Sequence, residues 1–265
     1  MTETLAAISN IEAFYANLGL PESCFLGKKL FKKHFYEHGQ LNATDKKAFV
    51  EDVDHIEWRY TLKPATINIP RYVDETYDYT EVAVIHVALL EGKRHSRIAD
   101  VIQKAIPYPL LIVFTLYQDD ADQLSLSVAD KRINRSDSEK LVVESTQDSG
   151  WINLASHTPW ELAFLNDFKA RAFSYQDLRA FYYDIVERIV GLNCAKHTGQ
   201  YESAEQNRTP TVDRLEALRQ LDQLDSERSE LRNKLKKEKN MGTQVQLNTR
   251  VKQISDRIEA IKQTL

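Results

Sequence analysis

The sequence predicts an α+β fold: a mixed β-sheet core flanked by helices, followed by a C-terminal antiparallel α-helical hairpin of coiled-coil type. Three observations predict it. Two apolar, β-branched runs, Glu81 to Leu90 and Leu110 to Leu116, enclose a segment with apolar residues at helical spacing, the pattern of a βαβ unit. Residues 211–265 carry apolar positions stepping by four and three through two successive arms. Finally, 8 Gly and 7 Pro in 265 residues are about half the usual frequency, so long helices are favoured and Gly-rich phosphate loops are few.

Taken in order, Leu5 to Leu18 has helical spacing and closes at Pro21. In Gly27 to Tyr36, lysines 28, 29, 32 and 33 interleave with Phe31, Phe35 and Tyr36; a helical turn or bent strand suits this better than a regular strand. Thr44 reads as an N-cap, with Phe49, Val53 and Ile56 as one helical stripe. Trp58 to Leu62 alternates as a strand ending at Pro64, and Thr66 to Ile69 reads as a short extended piece. Val82 to Leu90, apolar on both faces, reads as a covered central strand. Ser96 to Ala105 supplies a helix with Ile98, Val101, Ile102 and Ala105 inward, and Ile106-Pro107-Tyr108-Pro109 breaks it before the next strand. Leu124 to Val128 and Lys140 to Ser145 read as a hairpin turning at 134–137. Ser174 to Asp177 has capping-box spacing before a helix with Leu178, Tyr182, Ile185, Ile189 and Leu192 inward.

Residues 1–196 thus form the core domain, 197–210 a polar linker, and 211–265 the hairpin. On its first arm Ala217, Leu221, Leu224, Arg228, Leu231 and Leu235 share a stripe. After Asn240-Met241-Gly242, expected as the turn, Leu247, Val251, Ile254, Ile258, Ile261 and Leu265 repeat it.

Composition bounds the function classes. Cys24 and Cys194 have no partner spacing for a disulfide framework or a zinc site, which suits a reducing cytoplasm. The acidic N-terminal stretch is unlike a signal peptide, and the greasiest windows are about half a membrane span, so no membrane role is expected. With 35 Lys+Arg against 39 Asp+Glu, the net charge of −4 gives no general attraction to nucleic acid. There is no Gly-x-Ser-x-Gly elbow, Walker loop or dinucleotide fingerprint. The pair His34 and His38 lacks the Glu of a metallopeptidase helix, and His86, inside an apolar strand, reads as a hydrogen-bonded core histidine.

Two kinds of chemistry have candidates. A restriction-type nuclease needs an acidic residue and a Glu-x-Lys on an adjoining strand, carboxylates for Mg²⁺ and a lysine to polarise the phosphate; Asp78, Glu91 and Lys93 have that spacing. Mg²⁺ enters only under this alternative, and otherwise no cofactor is expected. Nucleic acid could instead meet Arg232, Lys234, Lys236, Lys237 and Lys239, crowded near the hairpin turn and opposed there only by Glu238.

The segments Lys28 to Phe35, Asp45 to Phe49, Ile56 to Leu62, Thr66 to Ile69, Glu81 to Leu89 and Ala105 to Leu111 resemble an uncharacterised bacterial family classed as a domain of unknown function, over about the first 195 residues. Members are often encoded beside DNA methyltransferase and helicase genes in restriction or phage-defence neighbourhoods. The resemblance implies a setting and no catalytic residues. The combined expectation is a non-enzymatic accessory or assembly subunit of a DNA-targeting defence system. Leu221, Leu224, Leu231, Leu235, Val251, Ile254, Ile258 and Ile261 would bind a helicase or methyltransferase component, or a second copy of the chain. A nuclease and a nucleic-acid binder are the alternatives.

Overall fold

A computed structural model gives the fold; it describes residues 8–38, 41–134, 137–203, 206 and 209–265. The chain forms two compact units, Met1–Ile189 and Val190–Leu265, dividing inside one long helix.

The first unit opens with helix α1 (Ile11–Leu18), capped by Asn10, whose Oδ1 accepts from the Ala13 N–H at 2.8 Å. Positions 5–7 of the expected helix lie outside the described residues. Next come strand β1 (Phe25–Leu30), helices α2 (Lys32–His38) and α3 (Ala43–Glu51), strand β2 (Val53–Leu62) and the short helix α4 (Pro64–Ile67). Four expectations are corrected here. Lys28 to Leu30 is a strand, because pairing with β2 outweighs its poor alternation. Asn42, not Thr44, caps α3, in a reciprocal box with Asp45. Val53 and Ile56 leave that helix and pair within β2. Thr66 and Ile67 turn into α4, because Pro64 opens a helical turn and the Thr66 hydroxyl accepts from the Lys63 N–H at 3.0 Å.

Strands β3 (Tyr72–Val73) and β4 (Asp78–Tyr79) form a separate ribbon. Strand β5 (Val82–Leu89), helix α5 (His95–Ala105) and strand β6 (Leu110–Gln118) are the expected βαβ unit, with Ala83 through Leu89 parallel to Leu110 through Leu116. Strands β7 (Ala121–Asn134) and β8 (Asp137–Asp148) form the expected hairpin, several residues longer than its alternation suggested, and β9 (Ile152–Asn153) adds to β7. The main sheet runs β1-β2-β5-β6-β7-β8, antiparallel except at β5–β6. Asp119 and Asp120, at φ 53° and 57°, make the two-residue β6–β7 turn, a left-handed geometry that aspartate tolerates.

One sheet face carries Ala83, Ile85, Val87, Leu89, Leu110, Ile112, Phe114 and Leu116 against Ile98 and Ile102 of α5 and Phe49 of α3. Helix α6 (Pro159–Asp167) follows, then α7 (Leu178–Thr198). The α7 cap is Asp177, whose Oδ1 accepts from the Ala180 N–H at 2.8 Å, rather than Ser174. Tyr182 of α7 receives the Ala129 N–H at 3.0 Å and reaches the Leu110 carbonyl at the same distance, tying the helix to the sheet. Near the start of α5, Gly92 sits in a tightly packed place. A Cβ there would meet Leu116 at 3.0 Å and Trp151 at 3.1 Å.

The second unit holds the end of α7 with helices α8 (Thr211–Lys237) and α9 (Met241–Lys262), roughly 40 and 33 Å long at 1.5 Å per residue.

Candidate functional site

The hairpin is built from its seam outward. Leu221 and Leu224 of α8 meet Ile254 and Ile258 of α9, none more than 7% exposed, with Leu231, Ile261 and Leu265 at the edges. Leu218 takes the inward place expected of Ala217. These side chains are consumed inside the chain, so Leu221, Leu224, Ile254 and Ile258 are not the surface a partner meets, contrary to their expected role. The reason is geometric: two antiparallel heptad arms close on each other first.

The turn is made by polar groups rather than by glycine. Glu238 leaves the helix, its carboxylate accepts from the Lys239 and Asn240 N–H groups, both at 2.8 Å, and Asn240 caps α9 through the Thr243 N–H at 3.1 Å. Gly242 lies within α9.

Burial falls off toward this turn. Leu231, Leu235, Leu247 and Val251 are only half-buried, and Met241 and Val245 stand 79% and 63% exposed. At the other end of the hairpin, the last turns of α7 come near the arms. His197 lies beside Asp222, Asp225 and Lys262, and Cys194 and Leu265 line one small cavity. Burial lowers the His197 pKa, reinforced by Lys262, and pushes the Cys194 thiol up to about 11.

Charge is divided the same way. Residues 228–252 hold eight Lys or Arg against two Glu, a net +6, whereas 211–227 with 253–265 hold four against seven, a net −3. Arg228 pairs with Asp225, and Arg250 reaches across to Glu227 at 3.1 Å. Arg232, Lys234, Lys236, Lys237, Lys239 and Lys252 are all exposed and form no ion pair among the described residues.

The nuclease candidates do not come together. Asp78 belongs to the β3–β4 ribbon, and the nearby Thr76 carbonyl accepts from Ile133. Gly92, between exposed Glu91 and Lys93, packs on Leu116, which pairs with Gln123. Gln123 and Ile133 lie ten positions apart on β7, roughly 30 Å of strand.

What the sheet does bring together is a different set. Lys29, Glu57 and His86 lie in one row across β1, β2 and β5. His86 Nε2 bonds the Thr115 hydroxyl at 2.9 Å, and its Nδ1 stands 3.9 Å from Glu57 Oε2. Arg59 donates to Glu57 at 3.3 Å and lies 4.0 Å over the Tyr15 ring of α1. Burial, reinforced by Arg59 and His55, pushes the His86 pKa down to about 4, so the imidazole is neutral near pH 7. Burial raises the Tyr15 phenol against the pull of Arg59. The expectation for His86, a hydrogen-bonded core histidine, agrees with this placement. The signal that would have located the cluster was the polar alternation His55, Glu57, Arg59 on a strand whose Ile56 faces the core.

Among the described residues, no group of three His, Cys, Asp or Glu side chains is disposed to hold a metal ion, and no helix is long and apolar enough to cross a membrane. His34 is exposed; the side chain of His38, its expected partner, lies outside the described residues.

The fold and its surfaces define a class: an α+β protein with a mixed seven-stranded sheet and an appended helical hairpin, polar at its stem and basic at its turn. The chain belongs to the family described as a domain of unknown function, DUF4391, which matches residues 18–258 and so takes in most of the hairpin. No curated protein and no solved structure matches the chain.

Proposed function

We propose that this chain is a non-enzymatic accessory subunit of a DNA-targeting restriction or anti-phage assembly, docked through its C-terminal hairpin. The observation that carries the reading is the half-covered distal seam: Leu231, Leu235, Leu247 and Val251 stay partly open beside exposed Met241 and Val245, whereas Leu221, Leu224, Ile254 and Ile258 of the same pattern are buried nearer the stem. The expected neighbourhood, beside methyltransferase and helicase genes, makes components of those enzymes the proposed partners. The distance between Asp78 and the Glu91–Lys93 turn weighs against the nuclease alternative in the form its spacing suggested.

The test is co-expression with the neighbouring gene products. Met241→Glu with Val245→Glu changes two exposed side chains, so the fold persists by circular dichroism while co-purification is lost. Full assembly by that variant would refute the docking role.

A further inference from the structure

We infer that the distal half of the hairpin, from Arg228 to Lys252, receives an acidic amphipathic helix of a partner protein. This rests on the docking role proposed above and names the chemistry of the partner.

Two observations converge on it. The first is apolar. At the stem, Leu221, Leu224, Ile254 and Ile258 are all but excluded from water. Toward the turn, residues of the same two stripes, Leu231, Leu235, Leu247 and Val251, remain half-buried with no fully buried position among them, whereas at the stem half-buried Ile261 and Leu265 flank a buried cluster. A third helix laid along the two arms would cover these positions, and Leu and Val at four-residue spacing fit the ridges of a helix. From Arg228 to Lys237 the open stretch spans about 15 Å, matched by a partner helix of about three turns.

The second observation is electrostatic. Six exposed cations without an ion pair flank this stripe, within a segment of net +6. A partner helix with Glu or Asp beside its apolar face would be steered in and held in register, and a basic one repelled.

The competing occupants explain less. Nucleic acid would satisfy the cations and leave the aliphatic stripe in water; residues 211–265 contain no Phe, Trp or Tyr on which a base could stack. A second copy would bring its own basic turn against this one, or meet a stem whose seam is already closed.

The experiment uses the full chain and three fluorescent probes: an 18-residue heptad peptide with Leu at a and d and Glu at the flanking positions, the same peptide with Lys for Glu, and a 20-base-pair DNA duplex. The acidic peptide binds and the basic one does not. Its affinity falls at least tenfold with Lys234→Glu, Lys236→Glu and Lys237→Glu combined, and at least tenfold with Leu231→Ser and Leu235→Ser combined, each variant checked for an unchanged helical spectrum. Equal binding of both peptides, no binding of either, or binding of DNA alone overturns the inference. So does self-association of the wild type that the same substitutions abolish. Assembly with neighbouring gene products that persists in the charge-reversed variant sinks this inference and leaves the accessory role standing.

Discussion

One buried cation holds the segment Ile106-Pro107-Tyr108-Pro109. Two prolines remove two N–H donors from this stretch, so its carbonyls need a partner from elsewhere. Lys131 of β7, 2% exposed, donates through Nζ to the Ile106 carbonyl at 2.9 Å and the Tyr108 carbonyl at 2.6 Å. Burial pushes its pKa down to about 7, far below the ordinary lysine range. Lys131→Met keeps the length of the side chain and removes both donors. Stranding two buried carbonyls costs about 1–3 kcal/mol each. A neutral amine still has two N–H groups, so wild type keeps both bonds above pH 7. Because the folded pKa lies below the unfolded one, the unfolded chain binds more protons between pH 7 and about 10, and the stability of wild type rises with pH across that window. The full fall from 10.5 to about 7 corresponds to about 5 kcal/mol at 1.36 kcal/mol per pH unit, an upper bound because the two carbonyls also favour the ammonium form. The assay is urea unfolding of both proteins from pH 6 to pH 10. The advantage of wild type over the variant should be small at pH 6 and grow by a few kcal/mol toward pH 10. A difference that does not change with pH would refute the reasoning.

Two further predictions follow from burial and pairing. His95, at the start of α5, places Nε2 2.9 Å from Asp148 and Nδ1 2.9 Å from the Gly92 carbonyl; burial opposes its charge, but these acceptors outweigh it and raise its pKa. The stability this ion pair gives is therefore complete below the ordinary histidine pKa and is lost as pH rises through the folded value; His95→Gln should flatten that slope in thermal melts, with NMR titration of the ring confirming the raised pKa. In the hairpin, Leu224→Ala should cost about 2–4 kcal/mol and Leu235→Ala about 1 kcal/mol by denaturant unfolding, because only the first leaves a closed cavity; equal costs would mean the distal seam is closed as well.

Where local pattern and tertiary demand agreed, the fold was readable. The β5–α5–β6 unit, the β7–β8 pair and both hairpin arms lie where periodicity puts them, because each element buries a face wide enough to impose its own period. The misreadings share one cause. Val53 and Ile56 continue a helical stripe from Phe49, yet pair as strand residues with Leu89 and Val87. Lys28 and Lys29 look wrong for a strand, yet fill an edge that β2 offers. In both, a partner distant in sequence outweighs the local signal.

The candidate sites divide in the same way. The cations at 232–239 and the heptad leucines were visible, since both are properties of one helix. The meeting of Glu57 with His86 was not, because it depends on strand register, which shifts an entire side-chain set by one residue's slip. The spacing of Asp78, Glu91 and Lys93 suggested a site that strand direction pulls apart.

By itself, then, the sequence determined the α+β class, the two heptad arms and the basic turn between them, since composition and period belong to single segments. Only the tertiary structure decided that the arms close on each other at the stem and stay half open toward the turn. Periodicity marks which face is apolar; which of its positions lose contact with water depends on how the two arms pack together.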